Sequence, residues 1–193
     1  MAIHLVLDHS ALIPYGDKPQ EEKEAIQKLG ELLPEIDAIW YVSKEYLKTL
    51  HSVCRRELKH HHPLPKLQSS LLRISKDLLQ LAKTKGWYCR ERPLSNAKLK
   101  LHVIASSALK HVGPEFQTVM KIIEASDEDR ELLAIAVETA NIAKAIYLVT
   151  ADRVLYQIAT RLMQSQDLAQ SLQPLAHIEI LAPKDFVKRL DTA

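Results

Sequence analysis

The sequence predicts an α/β fold built on a parallel sheet, and three observations support this prediction. Short apolar runs typical of buried strands alternate with longer stretches that have the apolar periodicity of helices. Strands separated by helices pair in parallel through right-handed crossovers. The 193 residues suffice for one domain, so we expect a single domain over residues 1–193, with a helical elaboration at about 60–114.

The first half of the chain contains two strand-and-helix units. Its predicted elements are a strand at Ile3–Leu7, a helix at 21–33, a strand at 36–42, a helix at 43–59, a loop at 60–65 and a helix at 67–85. Pro34 ends the first helix, and Gly86 is the expected C-cap of the last one. The loop is predicted because two prolines interrupt any helix there.

The second half contains the clearest alternation of helix and strand. Its predicted elements are a short strand at 87–92, a helix at 95–114 that ends at Gly113, helices at 115–125 and 131–143, a strand at Ile146–Val149, a helix at 154–163 and a strand at Ile178–Leu181. Pro183 ends the last strand. The sheet is therefore expected to gain its final strands from this half.

Composition and glycine spacing exclude several classes of protein. With 47% hydrophobic and 26% charged residues, the chain is typical of a globular protein, and it contains no run of 18 apolar residues. Its four glycines lie too far apart for a dinucleotide fingerprint or a phosphate loop. The first residues lack the basic region of a secretory signal, so we expect a cytoplasmic protein without a membrane partner.

Charge is distributed in blocks along the chain. Residues 44–110 contain fifteen Lys and Arg against four Asp and Glu, whereas residues 115–138 contain seven acids against two bases. Solvated helix faces of different sign would explain either block alone. The alternative is a basic surface that binds a polyanion next to an acidic pocket.

Three aspartates fall where an open parallel sheet places its functional residues, at the carboxyl ends of strands and the starts of helices. Asp8 follows the first strand, Asp152 follows Ile146–Val149 through Thr150 and Ala151, and Asp129 lies at the start of a helix. Each could instead be a turn or helix-cap residue. Together, converging carboxylates would suit Mg²⁺ or Mn²⁺ and the activation of water toward a phosphodiester.

These segments resemble the acidic motifs of PIN-domain nucleases. The matching segments are DHSALI at 8–13, DRELLAIA at 129–136, LVTAD at 148–152 and IEILAP at 178–183, with Phe186 following. The resemblance covers residues 1 to about 59 and 115–190, and its specificity lies in the order and spacing of the motifs.

The resemblance implies a fold, an activity and a set of site residues. The fold would be a parallel sheet of about five strands in 3-2-1-4-5 order between helices. The activity would be metal-dependent endonucleolytic cleavage of single-stranded RNA. By the same resemblance, Asp8, Asp129 and Asp152 match metal-binding catalytic acids, and Ser10 and Thr150 match supporting hydroxyl positions.

One position departs from the family pattern. The family's glutamate on the helix after the second strand aligns with Thr49, which cannot replace a carboxylate. Glu45, one helical turn earlier on the same face, could serve as the fourth catalytic and metal-binding acid. Otherwise the site binds metal weakly or is inactive, and Glu45 only complements the helix dipole.

Further candidates lie around these motifs. Arg55, Arg56 and Lys59 are expected to contact RNA phosphates, with Lys66, Arg73, Lys98 and Lys100 as additional candidates. Asp127 and Glu128 are read mainly as solvated acids. The histidines at 60–62 lack a second ligand pair for zinc and are interpreted as a loop that meets phosphate. Trp87 and Tyr88 could stack on bases but are more typical of core residues.

Three functions stay open at this stage. The leading one is a metal-dependent endoribonuclease that acts through metal-activated water. The second is a degenerate PIN fold that binds RNA or protein, which Thr49 favours. The third is a toxin ribonuclease with an antitoxin-like protein as its partner. A homodimer is compatible with each of them, and the sequence does not identify the RNA substrate.

Overall fold

The computed structural model describes residues 2–85, 90–94, 98–104, 106–165 and 177–192. Its strands are β1 (Ile3–Leu7), β2 (Ala38–Val42), β3 (Arg90–Pro93), β4 (Lys100–Val103), β5 (Ile146–Val149) and β6 (Ile178–Leu181). Its helices are α1 (Gln20–Leu32), α2 (Lys44–Lys59), α3 (Lys66–Lys85), α4 (Pro114–Ile122), α5 (Asp127–Ala140), α6 (Arg153–Gln164) and α7 (Pro183–Asp191). Short 3₁₀ turns lie at His9–Ala11, Leu33–Glu35 and Ala108–Lys110.

The sheet confirms the predicted α/β fold and strand order. Five parallel strands lie in the order β4-β2-β1-β5-β6, which is 3-2-1-4-5 when the parallel strands are numbered along the chain. A further strand, β3, pairs antiparallel with β4 at the edge. Helices flank the sheet, so the domain has three layers. The carboxyl ends of β1, β2 and β5 therefore meet at one edge.

The helix predicted at 95–114 is wrong, because its described residues form a strand and a short 3₁₀ turn at Ala108–Lys110. Residues 100–103 form β4, in which Leu101 and Val103 are buried and Lys100 is exposed. Burial thus alternates along β4 with the two-residue period of a strand. In the register of the sheet, Leu101 lies opposite Trp40 of β2. Pairing with β2 decides the structure, because a short apolar run fits either element by itself. Gly86 and residues 87–89 lie outside the described residues, as do residues 95–97.

Helix α5 is the central helix of the core. Six consecutive apolar residues from Leu132 to Val137 are buried, because α5 contacts β1, β2, β5 and β6 on one side and α2 on another. Its N-terminus carries a capping box between Ser126 and Asp129. This packing fixes the start of α5 beside the carboxyl edge of the sheet.

Candidate functional site

Asp8 is a buried carboxylate at the carboxyl end of β1, with only 2% of its surface exposed. Its Oδ2 accepts hydrogen bonds from Ser10 Oγ and from Thr150 Oγ1, the latter at 2.8 Å. Its Oδ1 accepts one from Tyr46 Oη at 2.9 Å. The Nδ1 atom of His9 lies 3.1 Å from the same Oδ1, within ion-pair distance but without hydrogen-bond geometry. Four groups thus surround the carboxylate.

The surroundings of Asp8 keep its carboxylate ionised. Burial is the largest single influence and would raise the pKa of Asp8. The interactions with His9, Ser10 and Thr150 together outweigh burial and lower the pKa of Asp8 to about 2. The negative charge is therefore present at every physiological pH.

His9 is the titratable neighbour of this carboxylate. Its interaction with Asp8 raises the pKa of His9 above the ordinary value, burial opposes the shift, and the charges of Asp8, Glu128 and Asp129 add to it. The backbone N–H of His9 donates to Tyr46 Oη at 2.9 Å. Tyr46 therefore links the carboxylate of Asp8 to the backbone of the next residue.

Ser10 and Thr150 connect the ends of β1 and β5. Ser10 Oγ accepts from the backbone N–H of Ala151 at 2.9 Å, and Thr150 Oγ1 accepts from that of Asp152 at 3.0 Å. Because both hydroxyls also donate to Asp8, they orient its carboxylate and hold the segment that carries Asp152 beside it. This is the position in which the family resemblance places two supporting hydroxyls.

Asp152 and Asp129 lie at the same edge and cap helices there. The side chain of Asp152 accepts from the N–H groups of Val154 and Leu155 at 2.7 and 3.2 Å, so it is the N-cap of α6. Asp129 completes the capping box of α5, and its charge reaches His9. Both aspartates thus have the structural roles that the sequence also allowed.

Within the part of the chain that the structure describes, no three His, Cys, Asp or Glu side chains come close enough together to hold one metal ion. A shared ion at Asp8, Asp129 and Asp152 therefore stays a prediction. The oxygens at this edge are hard donors of the kind that Mg²⁺ or Mn²⁺ prefers.

Glu45, the predicted fourth acid, pairs with a lysine of the same helix, and its role in the site stays a prediction. Both oxygens of Glu45 accept from Lys48 Nζ at 2.9 Å, and about half of each side chain is exposed. Thr49 instead lies 3.4 Å from Glu128 Oε1, which comes from the first turn of α5. Among the described residues, Glu128 is therefore the acid that contacts Thr49, which aligns with the glutamate of the PIN-domain pattern.

The sequence reasoning missed Tyr46 and His9 and undervalued Glu128. Tyr46 lies three residues before Thr49 on α2, so both belong to the same helix face. This spacing places Tyr46 on a helix face but does not identify Asp8 as its partner. Asp127 behaves as predicted for a solvated acid, since its side chain is 98% exposed and lies beside Arg130.

A cleft of about 420 Å³ opens directly beside the site. Its lining includes five basic side chains, which define what we call the basic cleft: His9, Lys18, Arg56, His60 and His62. Ser10 and Tyr15 complete the wall toward β1. A second cleft, of about 430 Å³, is lined by Thr150, Asp152, Tyr156 and Pro183 among others.

The predicted RNA contacts divide between different surfaces. Arg56 lines the basic cleft, while the charge of Arg55 acts on His51, which is hydrogen-bonded to Ser75 of α3. Lys59 is exposed at the end of α2. Lys66 pairs with Glu35, and the charge of Lys98 also reaches Glu35.

The position of Glu35 places that second group of lysines away from the candidate site. Glu35 precedes β2, so it lies at the edge where the parallel strands begin. The candidate site lies at the edge where those strands end. Among the described residues, Lys66 and Lys98 therefore lie toward the opposite edge of the sheet from the basic cleft that Arg56 lines.

Comparisons with protein families, with curated proteins and with solved structures find no match for this chain. Across the described residues, no helix is both long and apolar enough to cross a membrane. The function must therefore be inferred from the site itself.

Proposed function

We propose that this protein is a PIN-like module that binds single-stranded RNA at the carboxyl edge of its sheet without cleaving it. One observation carries the proposal. The Asp8 carboxylate is already bound by Ser10, Thr150 and Tyr46 and faces His9, while the basic cleft opens beside it. The carboxylate of Asp8 is thus hydrogen-bonded within the protein, while basic side chains line the open cleft beside it.

The metal that the resemblance implies does not fit this arrangement. A carboxylate has about four lone-pair sites, and Asp8 already accepts three hydrogen bonds, from Ser10, Thr150 and Tyr46. A cation at Asp8 would find one lone-pair site left beside the His9 ring, and among the described residues no group of three His, Cys, Asp or Glu side chains could complete its shell. Thr49 also stands where the family has a carboxylate. We therefore derive no step through a metal ion.

Single-stranded RNA is the polyanion that fits the cleft best. Lys18 and Arg56 are cations at neutral pH and can contact phosphates without reading sequence. The aromatic rings of Tyr15 and His62 lie beside them, and unpaired bases stack on such rings. Phosphate contacts make the affinity fall steeply as salt concentration rises.

A metal-dependent endoribonuclease is the second candidate, and one observation favours it. The hydroxyls of Ser10 and Thr150 tie Asp8, which stays ionised, to the segment that carries Asp152. In that function Asp8, Asp129 and Asp152 would hold Mg²⁺ or Mn²⁺, which supplies activated water. The toxin version of this candidate adds an antitoxin-like partner. For both candidates we propose a cytoplasmic location.

One experiment separates the two candidates. A labelled single-stranded RNA is incubated with the protein in EDTA and in Mn²⁺, and both binding and cleavage are measured. The proposal expects binding in EDTA and intact RNA in Mn²⁺. Cleavage in Mn²⁺ that disappears in Asp8→Asn and Asp152→Asn would overturn it in favour of the nuclease. Equal cleavage by the wild type and both variants would identify a contaminating enzyme. In that case the binding measured in EDTA tests the proposal, and absence of binding would overturn it.

A further inference from the structure

The basic cleft has a built wall rather than a chance collection of surface charges. Glu57 is buried at 6% exposure, and its carboxylate binds Arg56 Nε at 3.3 Å and His62 Nδ1 at 2.8 Å. Burial alone would raise the pKa of Glu57, but its bonds to His62 and Arg56 and their charges lower it. One buried anion thus holds two basic side chains in place on the cleft.

Arg56 remains able to bind an anion in this position. Only its Nε is used by Glu57, and 59% of its side chain is exposed. Lys18 lies in the same cleft and donates to the backbone carbonyl of Tyr15 at 3.3 Å. Two permanent cations therefore share a cleft with one buried carboxylate, which leaves a net positive lining.

Tyr15 and His62 form a stacked aromatic pair at the rim. Their ring centroids are 4.2 Å apart and their planes differ by 22°. Tyr15 is also held by a hydrogen bond from its hydroxyl to the carbonyl of Pro63. His61 has a left-handed backbone with φ of 58°, and the residues on either side of it, His60 and His62, both line the cleft. The sequence HHH thus contributes two rings to one surface.

The same pair separates two cavities. A neighbouring cleft of about 310 Å³ shares Tyr15, Gly16 and His62 with the basic cleft. A chain that runs from the basic cleft into this neighbouring cleft therefore passes over the pair. The volume of about 420 Å³ in the basic cleft lies within the range of small-ligand sites, which is the scale of one nucleotide.

We propose that the basic cleft is a nucleotide subsite, in which Lys18 and Arg56 bind a phosphate and the Tyr15–His62 pair stacks on a base. This inference rests on the proposed RNA-binding function and specifies where the strand lies. A single strand is required, because paired bases cannot reach a side-chain ring. His60 lies where it adds a donor to the same phosphate.

The test measures the affinity of a short labelled oligouridylate over a range of salt concentrations. Arg56→Gln and Lys18→Gln are expected to weaken binding, each reducing the slope of log affinity against log salt by about one. Tyr15→Leu is expected to weaken binding about tenfold with an unchanged slope, since stacking releases no counterions. Tyr15→Phe is expected to bind more tightly than Tyr15→Leu because it keeps the ring.

Two further variants serve as controls. Lys144→Gln removes an exposed lysine just before β5, at the opposite edge of the sheet, and is expected to bind like the wild type. Tyr156→Leu removes an aromatic ring from the second cleft and is likewise expected to bind like the wild type. Thermal unfolding of each variant verifies that it is folded. If Arg56→Gln, Lys18→Gln and Tyr15→Leu all bind like Lys144→Gln, the subsite is refuted while RNA binding stands.

A second probe separates failure of the subsite from failure of the function. Uridine monophosphate is titrated into the protein while the ring resonances of Tyr15 and His62 are followed by NMR. Shifts in the wild type that are lost in Arg56→Gln support the subsite even if the oligouridylate does not bind, in which case RNA binding fails. No shift together with no oligouridylate binding would refute both.

Discussion

Tyr46 on α2 and Asp8 at the end of β1 are joined by a hydrogen bond of 2.9 Å from the tyrosine hydroxyl to Oδ1. The two residues lie 38 positions apart in the chain. The same hydroxyl accepts from the backbone N–H of His9, and both Tyr46 and Asp8 are buried. Burial and the nearby charge of Asp8 raise the pKa of Tyr46 well above its ordinary value, so the hydroxyl remains a donor.

Tyr46→Phe is expected to lower the free energy of unfolding by about 1–3 kcal/mol. The variant removes one donor to a buried carboxylate and leaves the N–H of His9 without its partner. Denaturant unfolding at neutral pH measures the change. Tyr156→Phe, which alters a 39% exposed tyrosine, is the matched control and should change stability little. Equal stability of Tyr46→Phe and the wild type would contradict the role assigned to this hydroxyl.

The pH dependence of stability should contain a contribution from Asp8. Its pKa is about 2 in the folded protein against an ordinary value of 3.8. Because the folded pKa is the lower one, the stabilisation is complete above about pH 4 and is lost as the pH falls toward 2. It amounts to about 2 kcal/mol.

Denaturant unfolding between neutral and acidic pH tests this contribution. As the pH falls from neutral toward 2, the free energy of unfolding of Asp8→Asn should decrease by about 2 kcal/mol less than that of the wild type. Asp17→Asn, at an exposed position in the loop before α1, should lose as much free energy of unfolding at acidic pH as the wild type. If the wild type and Asp8→Asn lose the same free energy of unfolding at acidic pH, Asp8 does not titrate in this way.

Gly30 lies at a close approach between α1 and the start of α3. A Cβ at this position would be 2.9 Å from Pro65 Cβ and 3.0 Å from Gln68 Oε1. Gly30→Ala is therefore expected to destabilise the protein by about 1–3 kcal/mol, despite the better helix propensity of alanine. Gly113→Ala, where a Cβ would meet nothing within 4 Å, should cost much less. A thermal midpoint for Gly30→Ala at or above that of the wild type would contradict the clash.

Glu131 is a buried acid of α5 that holds the segment before α4. It accepts from Ser107 Oγ at 2.9 Å and from the N–H groups of Ala108 and Leu109 at 2.6 and 3.2 Å. Glu131→Gln is expected to lower the free energy of unfolding by about 2 kcal/mol, because the amide replaces an acceptor by a donor that faces other donors. Urea unfolding measures this loss. Glu138→Gln on the same helix is the control, and equal losses in both variants would argue against this contact.

The loop that Glu131 holds also reaches the candidate site. The carbonyl of Ser106 accepts from the N–H of Glu45 in the first turn of α2 at 3.1 Å. The start of α2 is therefore positioned from β4 and α5 as well as from β2. The segment after β4 is thus anchored at both Glu131 and the start of α2.

The sequence by itself determined the order of most helices and strands and the position of Asp8 at a strand end. These features follow from local periodicity and from the geometry of parallel sheets. Only the tertiary structure decided that residues 100–103 form β4, that Glu45 pairs with Lys48 and that Tyr46, His9 and Glu128 surround the site. The physical reason is that a side chain's partners depend on how the crossovers bring distant segments together, and local spacing carries no information about that register.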